Sequence, residues 1–419
     1  MITTIQVNGF RSLRNFKMDI RRGLNVLVGP NGSGKTNIIL FFEFLRLSVT
    51  KGVREAVSSM GGAGQVFRKR GKTKYGETIE ISISGIVSNE NIKYKYEVSF
   101  TAKASISEQE VYIERQNFKL MQLETGLSYM DIAWSWDGEK SDLAIEAFPE
   151  SDNRGWWTRA DFEKHVKADW FAQSPLVGYL QHFNEICSIV AWDLAGRFML
   201  NVVPSAVKNP EDSTREPGID SDGSGLSATL YAIKKNRPIP DTLRGSMRPS
   251  TQLKRASWSR VVSLIKIGVP TIEDIDVANE PFDNKLRVTI TVGRGNQKMF
   301  LPLAAMSDGT VKWMSLVTRL ATSNSALLLE EPENYLHPLM QSEVVRLLRE
   351  SSQDGGFALI STHSETLINS LRVDELVIVN YHAGGTRAKR VTNADELAVE
   401  VQATGFGLGY YYLADAIRS

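Results

Sequence analysis

Cysteine is nearly absent from this chain: Cys187 is the only one in 419 residues. A single thiol cannot form an internal disulfide, so a disulfide-rich secreted scaffold is excluded and a reducing compartment fits. We expect Cys187 to be a small buried apolar residue. Long apolar runs are missing too, since no stretch reaches the roughly 18 residues typical of a membrane-spanning helix. The start of the chain reads as a strand without the layout of a signal peptide, so we expect a cytoplasmic protein that makes no membrane contact.

Charge of one sign is not in excess either. The 49 Lys and Arg residues and 48 Asp and Glu residues leave a net charge of +1. The chain as a whole therefore does not attract nucleic acid, and any such surface must be a local patch. The best candidate is RKRGKTK at residues 68–74, which fits phosphate contacts or a solvated basic loop. Internal repeats and sustained heptads are absent, so a long coiled coil is not expected.

The composition, with 42% hydrophobic residues, is ordinary for a folded protein, and the length allows two or three domains. We predict an N-terminal lobe at residues 1–118, with antiparallel strands that have one wet face from about residue 76. Residues 119–270 read as a mixed, mostly helical insertion. Residues 271–419 begin with two strands and return to strand–helix alternation. The predicted fold class is α/β.

The most informative feature that is present is GPNGSGKT at residues 29–36, which fits the phosphate-loop pattern G-x-x-x-x-G-K-[ST] without a mismatch. Residues 24–28 before it read as a buried strand, and residues 37–45 after it read as an apolar helix. A strand, a glycine-rich turn and a helix N-terminus aim several backbone N–H groups at one point, where a polyphosphate can bind. The predicted nucleotide contacts are Gly29, Pro30, Asn31, Gly32, Ser33, Gly34, Lys35, Thr36 and Asn37.

Two of these side chains have distinct predicted roles. Lys35 would reach the β and γ phosphates of a nucleoside triphosphate. The Thr36 hydroxyl would bind the Mg²⁺ ion that bridges those phosphates. ATP and Mg²⁺ are therefore the predicted cofactors.

A second segment, ALLLEEPEN at residues 326–334, places two acids after four apolar residues. This pattern predicts a buried central strand that delivers carboxylates at its C-terminal edge, beside the phosphate loop. Glu330 would hold Mg²⁺, and Glu331 could polarise the attacking water. Taken alone, the same pattern also fits a strand that ends in an exposed acidic turn.

Two further segments complete the candidate site. Another apolar strand ends in STHS, and His363 there could bond to the γ-phosphate or the attacking water, or be a structural histidine. SDGT stands before a helical pattern, and Ser307, Asp308, Gly309 and Thr310 could aim a second helix N-terminus at the γ-phosphate. Alone, SDGT also fits an ordinary capped helix. The other histidines have no metal-ligand spacing, so no zinc site is expected.

The ordered set GPNGSGKT, SDGT, LLLEEPENYLHP and STHS resembles the ABC-type ATPase heads of the RecF, SMC and OLD families. Within that group, the chain looks most like stand-alone prokaryotic RecF/OLD-like AAA family ATPases. The resemblance covers residues 1–50 and residues 220–380, which include DGSGLSATLYAIKK. It implies a P-loop NTPase of ABC-ATPase type, with an antiparallel β subdomain and a mostly helical insertion.

By this resemblance, two heads pair face to face and enclose two ATP molecules. Residues 29–36 of one subunit and 307–310 of the other would surround each nucleotide. Glu331 matches the catalytic glutamate, and His363 matches the switch histidine. Glu330 stands where the family usually has a Mg²⁺-associated aspartate.

The resemblance also indicates which branch of these ATPase families the chain fits. The residues after His363 are too few for the Toprim domain of OLD nucleases, and the stretch from Lys35 to Ser307 lacks the heptads of SMC arms. We therefore expect a stand-alone head, homodimeric or in a higher oligomer, whose effector is a separate polypeptide. Arg11 and Arg14 would lie near the nucleotide.

The leading functional interpretation is an ATP-hydrolysing switch that dimerises to control a partner effector in prokaryotic anti-phage defence. The alternative is a RecF-like ATPase that binds DNA in repair. An ATP-binding scaffold without turnover is disfavoured by the intact Glu331 and His363. A transport ATPase is disfavoured because SDGT and EEPEN differ from the motifs of such proteins.

Overall fold

The computed structural model describes residues 1–70, 74–105, 110–137, 139–149, 158–165, 168–239, 256–280, 282–293, 295–322, 326–352, 356–414 and 416–417. The strands are β1 (Ile2–Asn8), β2 (Phe16–Asp19), β3 (Gly23–Val28), β4 (Lys69–Arg70), β5 (Lys74–Tyr75), β6 (Thr78–Asn89), β7 (Ile92–Ser105), β8 (Glu110–Gln122), β9 (Ser128–Trp136), β10 (Ser141–Ala147), β11 (Arg197–Leu200), β12 (Glu211–Asp212), β13 (Ile272–Glu280), β14 (Lys285–Val292), β15 (Met299–Pro302), β16 (Ala326–Glu330), β17 (Phe357–Thr362), β18 (Leu376–His382) and β19 (Gly385–Arg390). The α-helices are α1 (Lys35–Lys51), α2 (Val53–Ser59), α3 (Ala63–Val66), α4 (Arg159–His165), α5 (Leu176–Leu180), α6 (Glu185–Ala195), α7 (Pro204–Lys208), α8 (Leu226–Lys234), α9 (Trp258–Gly268), α10 (Asp308–Thr322), α11 (Pro338–Ser351), α12 (Glu365–Asn369), α13 (Ala394–Thr404) and α14 (Leu408–Leu413).

A six-stranded sheet lies between the two hydrophobic cores of the fold, in the order β11-β16-β17-β3-β18-β19. Neighbouring strands are parallel except for β18 and β19. Alternate residues face opposite cores: Leu27 and Leu359 pack into one, and Val26, Val28 and Ile360 into the other. A parallel sheet covered on both faces needs apolar residues at nearly every position, which explains the continuous apolar runs of β3 and β16.

Helix α1 covers one face of this sheet. Its Phe41, Phe42 and Phe44 are buried, and Phe42 packs edge-on against Phe357 of β17 with ring centroids 5.7 Å apart. Aromatic pairs in this arrangement stabilise a core beyond the apolar area that they bury. Because α1 begins at Lys35, its packing fixes the preceding loop at the C-terminal edge of β3.

A seven-stranded antiparallel sheet forms the second layer, in the order β10-β9-β8-β7-β6-β1-β2. Its strands alternate between buried and exposed residues; in β6, Ile79, Ile81 and Ile83 are buried while Glu80 is exposed. This period of two leaves one face in the core and one in water. The antiparallel subdomain expected from residue 76 onward is therefore present.

This sheet extends further along the chain than the sequence indicated. Strand β8 crosses the expected boundary at 118/119, and β9 and β10 continue the sheet to Ala147. Met130, Ile132 and Trp134 are buried and alternate with partly exposed residues, which is the pattern of a half-buried strand. The described residues between 119 and 147 thus belong to strands β8, β9 and β10 and to the turns between them, where a mostly helical insertion was expected. The described helices of that insertion begin at Arg159.

A small sheet packs on the second core, with the order β12-β14-β13 and β15 paired to β14. It contains the two strands predicted around residues 271–301. Helices α8 and α9 lie against it. Trp313 of α10 is fully buried and donates to the Ile265 carbonyl of α9 at 3.1 Å. This contact ties α10 to α9.

The lone cysteine and the lack of long apolar segments have counterparts in the structure. Cys187 is buried, and burial raises the pKa of its thiol. Within the described part of the chain, no helix combines the length and the apolar character that crossing a membrane requires. The structure describes only part of the basic segment 68–74, because residues 71–73 lie outside the described residues.

Candidate nucleotide-binding site

The glycine-rich loop connects β3 to α1, as the sequence predicts. Gly34 caps the helix in a left-handed conformation, with φ 101°. A Cβ atom there would lie 2.0 Å from Thr386 Oγ1, so only glycine fits. The loop therefore reaches the N-terminus of α1, where free backbone N–H groups attract anions.

Lys35 lies within this loop. Its ammonium donates to the Gly29 carbonyl at 2.7 Å and to the Pro30 carbonyl at 3.2 Å. Burial lowers the pKa of Lys35, while the charges of Glu331, Glu333 and Glu330 raise it. The loop lysine and the acidic turn therefore lie within one electrostatic site.

A hydroxyl network supports the loop from the side. Ser12 Oγ and Thr386 Oγ1 are 2.7 Å apart, and Thr386 donates to the Ser33 carbonyl at 3.0 Å. The Asn37 amide donates to Ser12 Oγ at 2.7 Å, so this predicted nucleotide contact bonds to the protein. Sequence reasoning did not find Ser12 or Thr386, which are 374 positions apart and meet only through tertiary structure.

Strand β16 ends at Glu330, at the same sheet edge as the loop. Strand β17 lies between β16 and β3, so the two strands are not direct neighbours. The Thr36 hydroxyl nevertheless donates to the Glu330 carboxylate. A threonine hydroxyl and a carboxylate are hard oxygen ligands of the kind that Mg²⁺ prefers, so the pair fits the metal predicted here.

Glu331 follows directly and has a left-handed backbone, with φ 43°. Its N–H donates to the Ser361 carbonyl at 3.0 Å. Its carboxylate lies 3.2 Å from His363 Nδ1 and accepts from the Asn334 amide at 3.2 Å. The structure thus brings Glu331 and His363 together, and a carboxylate beside an imidazole can orient a water molecule and accept its proton.

Glu333 is a site residue that sequence reasoning missed. It is only 8% exposed, and its Oε1 accepts from the Thr362 hydroxyl at 2.6 Å and the His363 N–H at 3.0 Å. These bonds connect the turn after β16 to the end of β17 and fix the backbone of His363. Glu333 is the third acid of EEPEN, but its position in that sequence does not distinguish a buried site residue from a solvent-facing acid.

Sequence reasoning also missed Lys312 of α10, because nothing in the helical pattern around it indicates a functional residue. Its ammonium donates to the carbonyls of Asn334 at 3.0 Å and Glu331 at 3.4 Å. Burial lowers the pKa of Lys312 to about 8, although the charges of Glu333 and Glu331 raise it. A lysine on a different helix therefore contacts the backbone of the acidic turn.

The SDGT segment forms the N-terminus of α10. Thr310 N–H donates to Ser307 Oγ at 3.2 Å, which is the N-cap predicted from the sequence. Asp308 is half exposed and forms an ion pair with Lys208 at 2.6 Å. In the part of the chain that the structure describes, no hydrogen bond joins residues 307–310 to the phosphate loop.

Of the two arginines expected near the nucleotide, Arg14 contacts the turn between β18 and β19. Strand β18 runs four residues past its pairing with the end of β3, so this turn extends beyond the end of β3. Arg14 Nη1 donates to the Ala383 carbonyl at 3.4 Å, and Arg68 Nη2 donates to the Gly384 carbonyl at 3.3 Å. Arg11 instead packs beside the Phe10 ring.

A parallel sheet with a phosphate loop, an acidic strand end and a histidine strand end at one edge, beside an antiparallel sheet, defines a P-loop NTPase fold of the ABC-ATPase type. The chain belongs to the family described as "AAA domain, putative AbiEii toxin, Type IV TA system", whose model matches residues 24–369.

Solved structures are similar in fold. The Smc head bound to the C-terminal winged-helix domain of ScpA superposes with a TM-score of 0.51 at 13% identity, over 93% of this chain and 97% of that one. The Pyrococcus furiosus Smc head with an extended coiled coil, bound to the C-terminal domain of ScpA, gives a TM-score of 0.49 at 12% identity, over 96% of this chain and 99% of that one.

A curated relative is similar over a short segment. The structural maintenance of chromosomes protein 3 homolog of Plasmodium falciparum (isolate 3D7) is 49% identical over 45 residues, 10% of this chain. The chain spans only 4% of that relative's length.

Proposed function

We propose that the chain hydrolyses ATP and that two copies close around two ATP molecules to control a partner effector. The observation that carries this proposal is the convergence of Lys35, Glu330, Glu331 and His363 at one sheet edge. Thr36 bonds to Glu330, and Glu331 lies 3.2 Å from His363. A phosphate cradle and a base beside it are the two parts that hydrolysis of a phosphoanhydride needs.

Each residue has a role in this proposal. The loop N–H groups and Lys35 bind the phosphates, and Thr36 and Glu330 would hold Mg²⁺, which would neutralise charge on the β and γ phosphates. Glu331 accepts the proton of the attacking water. His363 orients that water or the γ-phosphate through a hydrogen bond.

The arrangement of the SDGT segment supports closure by two copies. Ser307 caps α10, and Asp308 is half exposed. Among the described residues this helix N-terminus makes no hydrogen bond to its own phosphate loop, and a helix N-terminus can bind a phosphate held by a second copy. A symmetric pair would bury both nucleotides at once, because a two-fold interface repeats each contact.

The proposed role in anti-phage defence rests on the family to which the chain belongs. Its description names a putative toxin of a type IV TA system, which supports a prokaryotic anti-phage role with a separate partner. We assign the chain to the RecF/OLD-like branch on the four motifs and the double glutamate at residues 330–331. Co-purification with the products of neighbouring genes tests this assignment, and isolation without any partner would contradict it.

The central experiment measures ATP turnover and dimer formation in Mg²⁺ for the wild type, Lys35→Ala and Glu331→Gln. Lys35→Ala should lose ATP binding. Glu331→Gln should keep it, lose on the order of 10²- to 10⁴-fold in turnover, and accumulate an ATP-bound dimer. Glu350→Gln, which removes an exposed carboxylate paired with Arg346, is the matched control and should behave as the wild type. Unchanged turnover in Glu331→Gln, or a variant that stays monomeric with ATP, would refute the proposal.

DNA binding is the second candidate, and it is favoured by Arg14 and Arg68 beside the β18–β19 turn. Basic side chains at a loop tip can contact nucleic-acid phosphates. A duplex titration across salt should then give a steep slope that falls by about one for Arg68→Ala. Arg54→Ala, at an exposed position of α2, is the control. A salt-independent affinity would exclude phosphate contacts.

A further inference from the structure

Lys312 occupies an unusual place for a lysine. It is the fifth residue of α10 and is only 8% exposed. Its ammonium points at the turn that follows β16. Two backbone carbonyls of that turn accept from it, Asn334 at 3.0 Å and Glu331 at 3.4 Å. One side chain thus holds both ends of a four-residue segment that begins with the candidate base.

Stability alone does not account for a charge at this position. Burial of an ammonium costs free energy, as the lowered pKa of Lys312 shows. A methionine of similar length would fill the same space without that cost. Buried ionisable groups that oppose stability concentrate where a protein needs them for function.

The segment that Lys312 holds is strained at its first residue, and the residue that follows the segment is strained too. Glu331 has φ 43° and Tyr335 has φ 70°, left-handed values that side chains other than glycine rarely adopt. Such conformations persist where surrounding contacts over-determine them. The bonds from Lys312, together with the Glu331 N–H bond to the Ser361 carbonyl at 3.0 Å, supply those contacts.

A second contact joins the same two elements. A Cβ atom on Gly309 would lie 2.2 Å from the Tyr335 carbonyl, so the first turn of α10 packs directly on the end of this segment. Helix α10 and the segment 331–335 therefore touch through Lys312 and through Gly309. The helix carries SDGT, and the segment carries Glu331.

We propose that Lys312 is a positioning residue, which holds the Glu331 backbone in its left-handed conformation and thereby aims the carboxylate at His363. This proposal rests on the function proposed above, in which Glu331 is the base. Because Lys312 belongs to α10, it also makes the position of Glu331 depend on the helix whose N-terminus would face the partner's nucleotide. Hydrolysis at one nucleotide would then be sensitive to closure around the other.

The test replaces Lys312 with methionine and measures kcat, ATP affinity, ATP-driven dimer formation and thermal unfolding. We expect kcat to fall about 10- to 100-fold, as misplacement of a catalytic group by about 1 Å does. ATP affinity should not fall, since the phosphate loop is untouched. The melting temperature should change little, because removal of the buried charge offsets the bond that the Asn334 carbonyl loses. Ser315→Ala is the matched control, because Ser315 is buried on the same helix and its hydroxyl bonds to the Gly223 carbonyl, away from the segment.

A double-mutant cycle with Asn334→Ala adds a readout that a structural role would not change. The Asn334 amide bonds to the Glu331 carboxylate, so both variants act through one group. The combined loss in kcat should be smaller than the product of the two single losses. A product of independent losses would overturn the proposal. So would a Lys312→Met variant that turns over ATP at the wild-type rate, or one that melts earlier and binds ATP weakly.

These outcomes separate the inference from the function beneath it. If the wild type hydrolyses ATP, Glu331→Gln abolishes turnover and Lys312→Met does not affect it, only the role of Lys312 fails. If Glu331→Gln has no effect, the proposed function fails whatever Lys312 does.

Discussion

Thr386→Val is the sharpest test of how the phosphate loop keeps its shape. Thr386 is fully buried, and valine has nearly the same volume, so the change removes a hydroxyl and leaves the packing. The lost bonds are the donation to the Ser33 carbonyl at 3.0 Å and the contact with Ser12 Oγ at 2.7 Å.

The expected magnitude follows from the partners that remain. Ser12 Oγ keeps its bond from Asn37, so its loss is that of one ordinary hydrogen bond, about 1 kcal/mol. The Ser33 carbonyl loses this donor inside the protein, which costs about 1–3 kcal/mol. We therefore expect a loss of roughly 2–3 kcal/mol in unfolding free energy, part of it as weaker ATP binding through a less ordered loop.

Urea unfolding and ATP titration measure the two parts. The control is Thr322→Val, a buried threonine whose hydroxyl donates to the Thr318 carbonyl of its own helix at 2.8 Å. Removal of such a bond costs less, because the carbonyl keeps its helical partner. If Thr386→Val loses no more stability than Thr322→Val and binds ATP as the wild type does, the hydroxyl network does not support the loop.

Three further predictions concern charge and reactivity. The pKa of Lys312 is about 8 in the fold and 10.5 unfolded, so the unfolded chain binds more protons between these values. The unfolding free energy of the wild type relative to Lys312→Met should therefore rise by about 3 kcal/mol from pH 8 to pH 10.5, and a flat difference in urea titrations would refute this. Lys208→Ala should weaken ATP-driven pairing, because the charge of Asp308 at the α10 N-terminus is then no longer neutralised and repels the partner's phosphates. Adding Asp308→Asn should restore pairing. Equal dimer fractions in sedimentation would contradict this. Cys187 should react with a thiol reagent only after denaturation, because burial raises its pKa; fast labelling of the native protein would contradict that.

The parts of the site that the sequence predicted are those set by local pattern. The phosphate loop follows a buried strand and begins a helix, and the strand ends at Glu330 and His363 lie at one edge because β16 and β17 are parallel. A parallel arrangement brings carboxyl ends together without any knowledge of side-chain contacts. These residues could therefore be placed before the fold was seen.

The parts that were missed depend on long-range packing. Thr386 supports the loop only because β19 folds beside it, and Lys312 reaches the acidic turn from another helix. Strands β9 and β10 were taken into a helical insertion, although Met130, Ile132 and Trp134 alternate as a strand does. Short alternating segments rich in aromatic residues leave the choice of element to tertiary contacts.

The strand order of the central sheet also bears on synthesis. Strand β3 lies between β17 and β18, and Thr386 of β19 holds the loop after it. Both strand neighbours of β3 and this threonine are therefore translated hundreds of codons later. Contacts between distant segments form late, since the intervening chain must first be closed into a loop. A ribosome-bound chain should therefore be unable to capture ATP until β19 has emerged from the exit tunnel, which makes nucleotide capture a report on completed folding.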